Sequence, residues 1–225
     1  MKKKMIRCLI FDFDGVIVDS EPYWAEADRR IIKDEGKQLL PEAKRAVIGL
    51  RQDLAMRTLL DMHGINADPH VLNVKRIRLM EEYYRYQVPL FEGAVEVLNQ
   101  LSAEGYALAV ASSTPLNLVQ ISLERHNLRY LFSHVVSGDG VEHGKPAPDI
   151  FLRVLELMSL EAESVLVIED SLPGIIGATA ARIRTVWVRN KDASGAMEHA
   201  TYVIDLLHEL PALVSRIGWK THPKK

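Results

Sequence analysis

Two rhythms of apolar and polar positions divide the chain. From about residue 94 onward, amphipathic stretches alternate with short apolar runs. Ala94 to Glu104, Leu116 to His126, Asp149 to Met158, Ile175 to Ala181 and Leu206 to Ile217 carry helical spacing. Between them Ala107 to Ala111, His134 to Ser137, Ser164 to Ile168, Thr185 to Val188 and Tyr202 to Ile204 read as strands. The main runs are apolar at successive positions instead of every second one, which predicts strands buried on both faces: a parallel sheet with helices on either side. Ile6 to Phe11 has the same character and opens that sheet.

The second rhythm fills the segment after the first strand. Asp19-Ser20-Glu21-Pro22 is a helix-start signature, with polar side chains ahead of a proline that fits the first turn. Tyr23 to Glu35, Glu42 to Ile48, Gln52 to His63 and Pro69 to Gln87 then read as four amphipathic helices, broken by Gly36, Gly49 and Gly64-Ile65-Asn66. No strand interrupts them, and Pro89-Leu90-Phe91-Glu92-Gly93 closes the region. The expectation is a small helical bundle inserted after the first strand of an α/β sheet.

Composition narrows the partners. With 225 residues, 48% hydrophobic and 26% charged, the chain has material for one large domain or a core carrying a smaller one. A formal net charge of −2 gives no reason to expect nucleic acid, and the lysines at Lys2 to Lys4 and Lys224-Lys225 read as solvated ends. The single cysteine, Cys8, cannot form an intramolecular disulfide; inside an apolar run it reads as a buried, inert thiol in a reducing compartment. Arg7, Asp12 and Asp14 interrupt the N-terminal apolar stretch too early for a signal-peptide core, and no run is long enough to span a bilayer. A cytoplasmic protein with no membrane partner, working as a monomer, is expected.

The chemistry gathers at the strand ends. The first strand stops in Asp12-Phe13-Asp14-Gly15, two acids one residue apart that must be solvated, paired or bound to a cation. In a parallel α/β sheet the crevice lies beyond the carboxyl ends of the strands. There the other runs deliver Ser112-Ser113-Thr114, Ser137 to Asp139 and Glu169-Asp170-Ser171. Asp12, Asp14, Glu169 and Asp170 make an all-oxygen set of the kind Mg²⁺ selects, and the histidines form no close pair of the zinc type. Lys145, held in Gly144-Lys145-Pro146-Ala147-Pro148, is suited to cradling a phosphoryl group.

Asp12-Phe13-Asp14-Gly15-Val16, Ser112 after an apolar strand, Lys145 in Gly-Lys-Pro-Ala-Pro-Asp and Glu169-Asp170-Ser171 together resemble the four motifs of the haloacid dehalogenase superfamily, in the same order and over essentially the whole chain. The resemblance implies a Rossmann-like core, residues 1–18 and 91–225, with a helical cap at 19–90 like that of the β-phosphoglucomutase-like subgroup. It implies Asp12 as nucleophile on phosphorus and Asp14 as proton donor and acceptor. Asp12, the Asp14 backbone carbonyl and Asp170 would hold Mg²⁺ with Glu169 close by or acting through water, while Ser112, Ser113, Lys145 and Gly15 would hold the phosphoryl group. Because dehalogenases of the superfamily lack the second aspartate, the reaction expected is hydrolysis of a small phosphorylated metabolite, with a sugar phosphate foremost.

Substrate choice is expected in the helical insert and in Val16 to Trp24. Arg51 in Gly49-Leu50-Arg51-Gln52 is the leading candidate by resemblance, with Glu21 beside it. Lys75, Arg76 and Arg78 are further candidates for a second anionic group, although the solvated face of a helix is the first reading of all three. In β-phosphoglucomutases a cap histidine stands where Trp24 stands here, which favours hydrolysis and leaves a phosphosugar mutase as the alternative. Trp24 itself reads either as a platform for a sugar ring or as packing between cap and core. A non-catalytic binder of a phosphorylated ligand would require the site to be disabled, and none of the motif residues is missing.

Overall fold

A computed structural model describes residues 5–189 and 198–218; the terminal lysine runs lie outside the described residues. Six strands form one parallel sheet: β1 (Cys8–Phe11), β2 (Ala107–Ser112), β3 (Phe132–Ser137), β4 (Val165–Glu169), β5 (Arg184–Val188) and β6 (Tyr202–Ile204), in the order β3-β2-β1-β4-β5-β6. The helices are α1 (Glu21–Asp34), α2 (Pro41–Ala46), α3 (Gln52–His63), α4 (Pro69–Tyr86), α5 (Ala94–Ala103), α6 (Leu116–Arg125), α7 (Asp149–Met158), α8 (Leu172–Ala180) and α9 (Leu210–Gly218).

Successive residues of β1 go to opposite faces, and both faces are covered. Leu9 and Phe11 pack with Leu108, Val110, Leu166 and Ile168 under α5, α6 and α9, whereas Cys8 and Ile10 pack with Ala109, Val167 and the inner sides of α7 and α8. This is the physical content of the uninterrupted apolar runs. Truncating a fully buried leucine such as Leu9 to alanine would cost about 2–5 kcal/mol.

Observed boundaries follow the expected ones closely, with differences at some ends: β3 starts at Phe132 instead of His134, and α2 stops at Ala46 instead of Ile48. Helix α8 begins at Leu172, three residues before Ile175, because the Ser171 hydroxyl accepts from the Gly174 amide at 3.2 Å and Pro173 fits the first turn. The segment from Leu206 opens with a single tight turn, Leu207–Glu209, before α9. None of the described helices is long and apolar enough to cross a membrane.

Helices α1 to α4 form the insertion. They have their own buried cluster, including Ile31, Ile32, Ala43, Ala55, Met56, Leu59 and Leu60. The chain leaves and re-enters the sheet side by side: the Asp19 amide donates to Pro89 O at 3.0 Å and the Phe91 amide to Ile17 O at 3.0 Å. The sheet order reverses between β1 and β4, so the crevice above their carboxyl ends is where ligands of such sheets bind.

Candidate active site

Beyond Phe11 the chain turns sharply. The Gly15 amide donates to Val18 O at 2.9 Å, and Gly15 adopts φ +81, a left-handed conformation that favours glycine. A Cβ at this position would lie 1.9 Å from Asp170 Oδ2. The missing side chain is what lets the β1 turn and the end of β4 approach each other, placing Asp12 and Asp170 in one site.

Lys145 is buried at the centre, 2% exposed. Its ammonium donates to Asp12 Oδ1 at 2.7 Å, Glu169 Oε1 at 2.6 Å and the Ala111 carbonyl at 3.0 Å. Burial alone would lower its pKa, but the carboxylates of Asp12 and Glu169 outweigh that and raise it, so the ammonium keeps its charge. Asp12 is pushed well above the usual carboxylate range, first by burial and then by Glu169, with Lys145 acting in the opposite direction. The Glu169 Oε2 accepts from the Asp170 amide, the Ser171 amide and the Ser171 hydroxyl, each at 2.9 Å. Both Glu169 oxygens are therefore engaged by protein donors, which fixes the lysine and the loop carrying Asp170.

Asp14 collects donors from the sheet and from the insertion. Thr114 donates to Oδ2 at 2.7 Å and Ser112 at 3.3 Å; Ser20 and Tyr84 donate to Oδ1, with the Trp24 indole at 3.5 Å. Burial and the neighbouring Asp14 charge hold the Tyr84 phenol well above its ordinary pKa, so it stays protonated and able to donate. Thr114 comes from the strand end that the sequence places at the crevice, here as a partner of Asp14; Tyr84 has no such signal, because an aromatic residue in a helical stripe has an ordinary packing role.

Asp12, Glu169 and Asp170 each bring a carboxylate oxygen within 4.8 Å of the others. This is a cluster of hard oxygen donors that could hold a metal ion, with Asp12 and Asp170 open to it and brought together across Gly15, while both Glu169 oxygens are already engaged. A cavity of about 320 Å³ opens over this cluster, lined on the sheet side by Asp12, Asp14, Gly15, Ser112, Ser113, Lys145 and Asp170.

The insertion closes the other side. Ser113 donates to the Gly49 carbonyl at 2.8 Å, and a Cβ on Gly49 would lie 2.6 Å from Ser171 Oγ. Glu21 lines the cavity and pairs with Lys44 at 2.8 Å. Arg51, expected to face the substrate, does not line it: its guanidinium pairs with Asp53 at 2.8 Å and donates to the Val141 and Glu142 carbonyls at 3.2 and 2.9 Å, tying the insertion to the loop ahead of Lys145. The solvated-face reading holds for the exposed Lys75 and Arg78 but not for Arg76, which is 2% exposed and lines the cavity. Trp24 packs edge-on to Tyr84, with the Arg76 guanidinium 4.6 Å above its ring, so one face of the indole is already covered.

This arrangement can be placed among known proteins. The family model described as haloacid dehalogenase-like hydrolase matches residues 9–188. The chain belongs to that family, and within it stands with the phosphatases. It is 34% identical to a phosphorylated carbohydrates phosphatase of Thermotoga maritima over 185 residues, covering 81% of this chain and 84% of the relative. A fructose-1-phosphate phosphatase of Escherichia coli is 31% identical over 184 residues, covering 80% and 95%. The crystal structure of a β-phosphoglucomutase from Clostridium difficile superposes with a TM-score of 0.81 over 95% of this chain and 99% of its own, at 18% identity, a likeness of fold alone.

Proposed function

We propose that the protein is a Mg²⁺-dependent phosphatase that hydrolyses a small phosphorylated carbohydrate through an aspartyl-phosphate. The observation that carries this reading is the pairing of Asp12 with Asp14 at one cavity beside a buried ammonium: one carboxylate to attack, a second to move a proton. The named activities of the relatives from Thermotoga maritima and Escherichia coli support the carbohydrate phosphate.

Asp12 attacks phosphorus, and the ester P–O bond breaks as Asp14 gives its proton to the leaving oxygen. Asp14 then takes a proton from water as it attacks the phosphorus of the acyl-phosphate, releasing phosphate and regenerating Asp12. Lys145 and Ser112 bind the transferred group's oxygens, and Lys145 also lessens repulsion between Asp12 and an anionic ester. Asp12 and Asp170, with the Asp14 backbone carbonyl, would hold Mg²⁺; Glu169 acts mainly by holding Lys145 and the Asp170 loop. When bound, the ion would supply positive charge to offset that of the phosphoryl group. Residues 19–90 act as the cap, and because Tyr84 and Trp24 belong to it, its position over the sheet governs how Asp14 is held. Trp24 in place of a basic cap residue supports hydrolysis over phosphoryl return to the sugar.

The test is phosphate release with Mg²⁺ and with EDTA from p-nitrophenyl phosphate, hexose monophosphates and hexitol monophosphates. Activity should need the ion, vanish in Asp12→Asn and fall by at least about 100-fold in Asp14→Asn. Near-normal turnover by Asp12→Asn would overturn the assignment. Conversion of a hexose 1-phosphate to its 6-phosphate when a bisphosphate is added would favour the mutase.

A further inference from the structure

The cap side of the cavity holds a charge-compensated polar array that the catalytic scheme leaves unused. Arg76 on α4 donates through Nε to Asp28 Oδ1 of α1 at 2.5 Å and through Nη1 to Gln52 Oε1 of α3 at 2.6 Å. All three line the cavity, and Asp28, Arg76 and Gln52 are 2%, 2% and 9% exposed. Each pairing uses only part of its side chain. Arg76 Nη2, Asp28 Oδ2 and Gln52 Nε2 make no hydrogen bond to another described residue, and none of them is among the sealed, unpartnered side-chain atoms of the interior. The array therefore presents two donor groups and one acceptor toward the cavity, while its formal charges, one guanidinium and one carboxylate, cancel. The other cap-side cation on the cavity wall, Lys44, is likewise paired, with Glu21.

Adjacent hydroxyls each donate and accept, and match a surface that mixes donors with an acceptor. A second phosphate or a carboxylate has only acceptors, and would meet the Asp28 carboxylate without a free cation to offset it. Resting on the phosphatase reading above, we propose that Asp28, Arg76 and Gln52 form the specificity subsite, selecting monophosphate esters whose far end is a neutral polyol or sugar and excluding bisphosphates and carboxylate-bearing phosphate esters. The three come from separate helices of the insertion, so the subsite exists only when the bundle is folded. Trp24 supports it by stacking under Arg76, which accounts for the covered face of the indole.

The experiment measures kcat/KM with Mg²⁺ for sorbitol 6-phosphate, glucose 6-phosphate, fructose 1,6-bisphosphate, 2-phosphoglycolate and p-nitrophenyl phosphate, in the parent, Asp28→Asn and Gln52→Leu. The parent should prefer the polyol and hexose monophosphates over the bisphosphate and 2-phosphoglycolate by at least about tenfold. Asp28→Asn leaves the Arg76 charge uncompensated and should shrink that ratio by about tenfold in favour of the anionic far ends. Gln52→Leu should lower kcat/KM for sorbitol 6-phosphate relative to p-nitrophenyl phosphate. Ratios within one preparation do not depend on how much of a variant is folded. A parent that hydrolyses p-nitrophenyl phosphate but prefers the bisphosphate, or an Asp28→Asn ratio equal to the parent's, overturns the subsite and leaves the phosphatase standing. No hydrolysis of any ester overturns both.

Discussion

Lys145→Met keeps the stem of the side chain and removes its charge. In the parent the ammonium lies 2.7 Å from Asp12 and 2.6 Å from Glu169, and these carboxylates are 7% and 0% exposed. Removing one partner of a buried ion pair costs about 3–5 kcal/mol, because the remaining charge loses its compensation. Two carboxylates are left here, which places the expected loss in the upper part of that range. In a chain of this size each kcal/mol moves Tm by about 2–4 °C, so a fall of about 10 °C or more is expected. The loss depends on pH with a definite sign. Burial and Glu169 already raise the Asp12 carboxyl and Lys145 opposes them, so losing the lysine raises it further. A group whose folded pKa stands above its unfolded value, about 3.9 for aspartate, takes up a proton on folding; its contribution is most favourable at low pH and declines as pH rises through the folded value. The deficit of the variant should thus be smaller near about pH 5 than near about pH 8. Thermal unfolding followed by circular dichroism, with EDTA present for both proteins, reads it directly. Equal melting of parent and variant near about pH 8, or a deficit independent of pH, would refute the reasoning.

Other expectations follow from single contacts. Gly174→Ala builds a Cβ 1.7 Å from Glu169 Oε1, so Glu169 must move and release Lys145; a loss of about 1–3 kcal/mol in denaturant unfolding is expected, with a lower kcat. Tyr84→Phe removes a donor to Asp14 while keeping the stacked contact with Phe13, and kcat should fall by about tenfold with little change in Tm. Cys8 is fully buried and its thiol is pushed up to about 12 by burial, so a thiol reagent such as DTNB should leave the native protein unlabelled at mildly alkaline pH and react once urea unfolds it.

Much of the site was legible because its parts occupy strand ends, and a strand end is visible in sequence as the place where an apolar run stops. Asp12 follows β1 directly, Ser112 and Glu169 are the last residues of β2 and β4, and a parallel sheet brings such ends to one edge. Residues on helices were harder to place. Arg76 lies four residues after Leu72 and four before Met80, both buried, so it sits in the apolar stripe of α4 while Lys75 and Arg78 fall outside it. A cation inside a buried stripe was a usable signal, but its partners Asp28 and Gln52 lie 48 and 24 positions away along the chain. Arg51 shows the converse, since its motif position suggested the crevice and only the packing of the insertion against residues 138–144 turned it aside.

By itself the sequence determined the layered architecture, because continuous apolar runs and helical stripes can be buried in few other ways, and it determined the acids and the lysine that meet at the sheet edge. The tertiary structure decided what surrounds them: a lysine sealed between two carboxylates, an aspartate held jointly by sheet and insertion, and a neutral polar array on the cap. Those features depend on side chains from helices whose relative placement is set by packing. Packing joins residues far apart in the chain, whereas a sequence pattern records only the neighbours within a few turns.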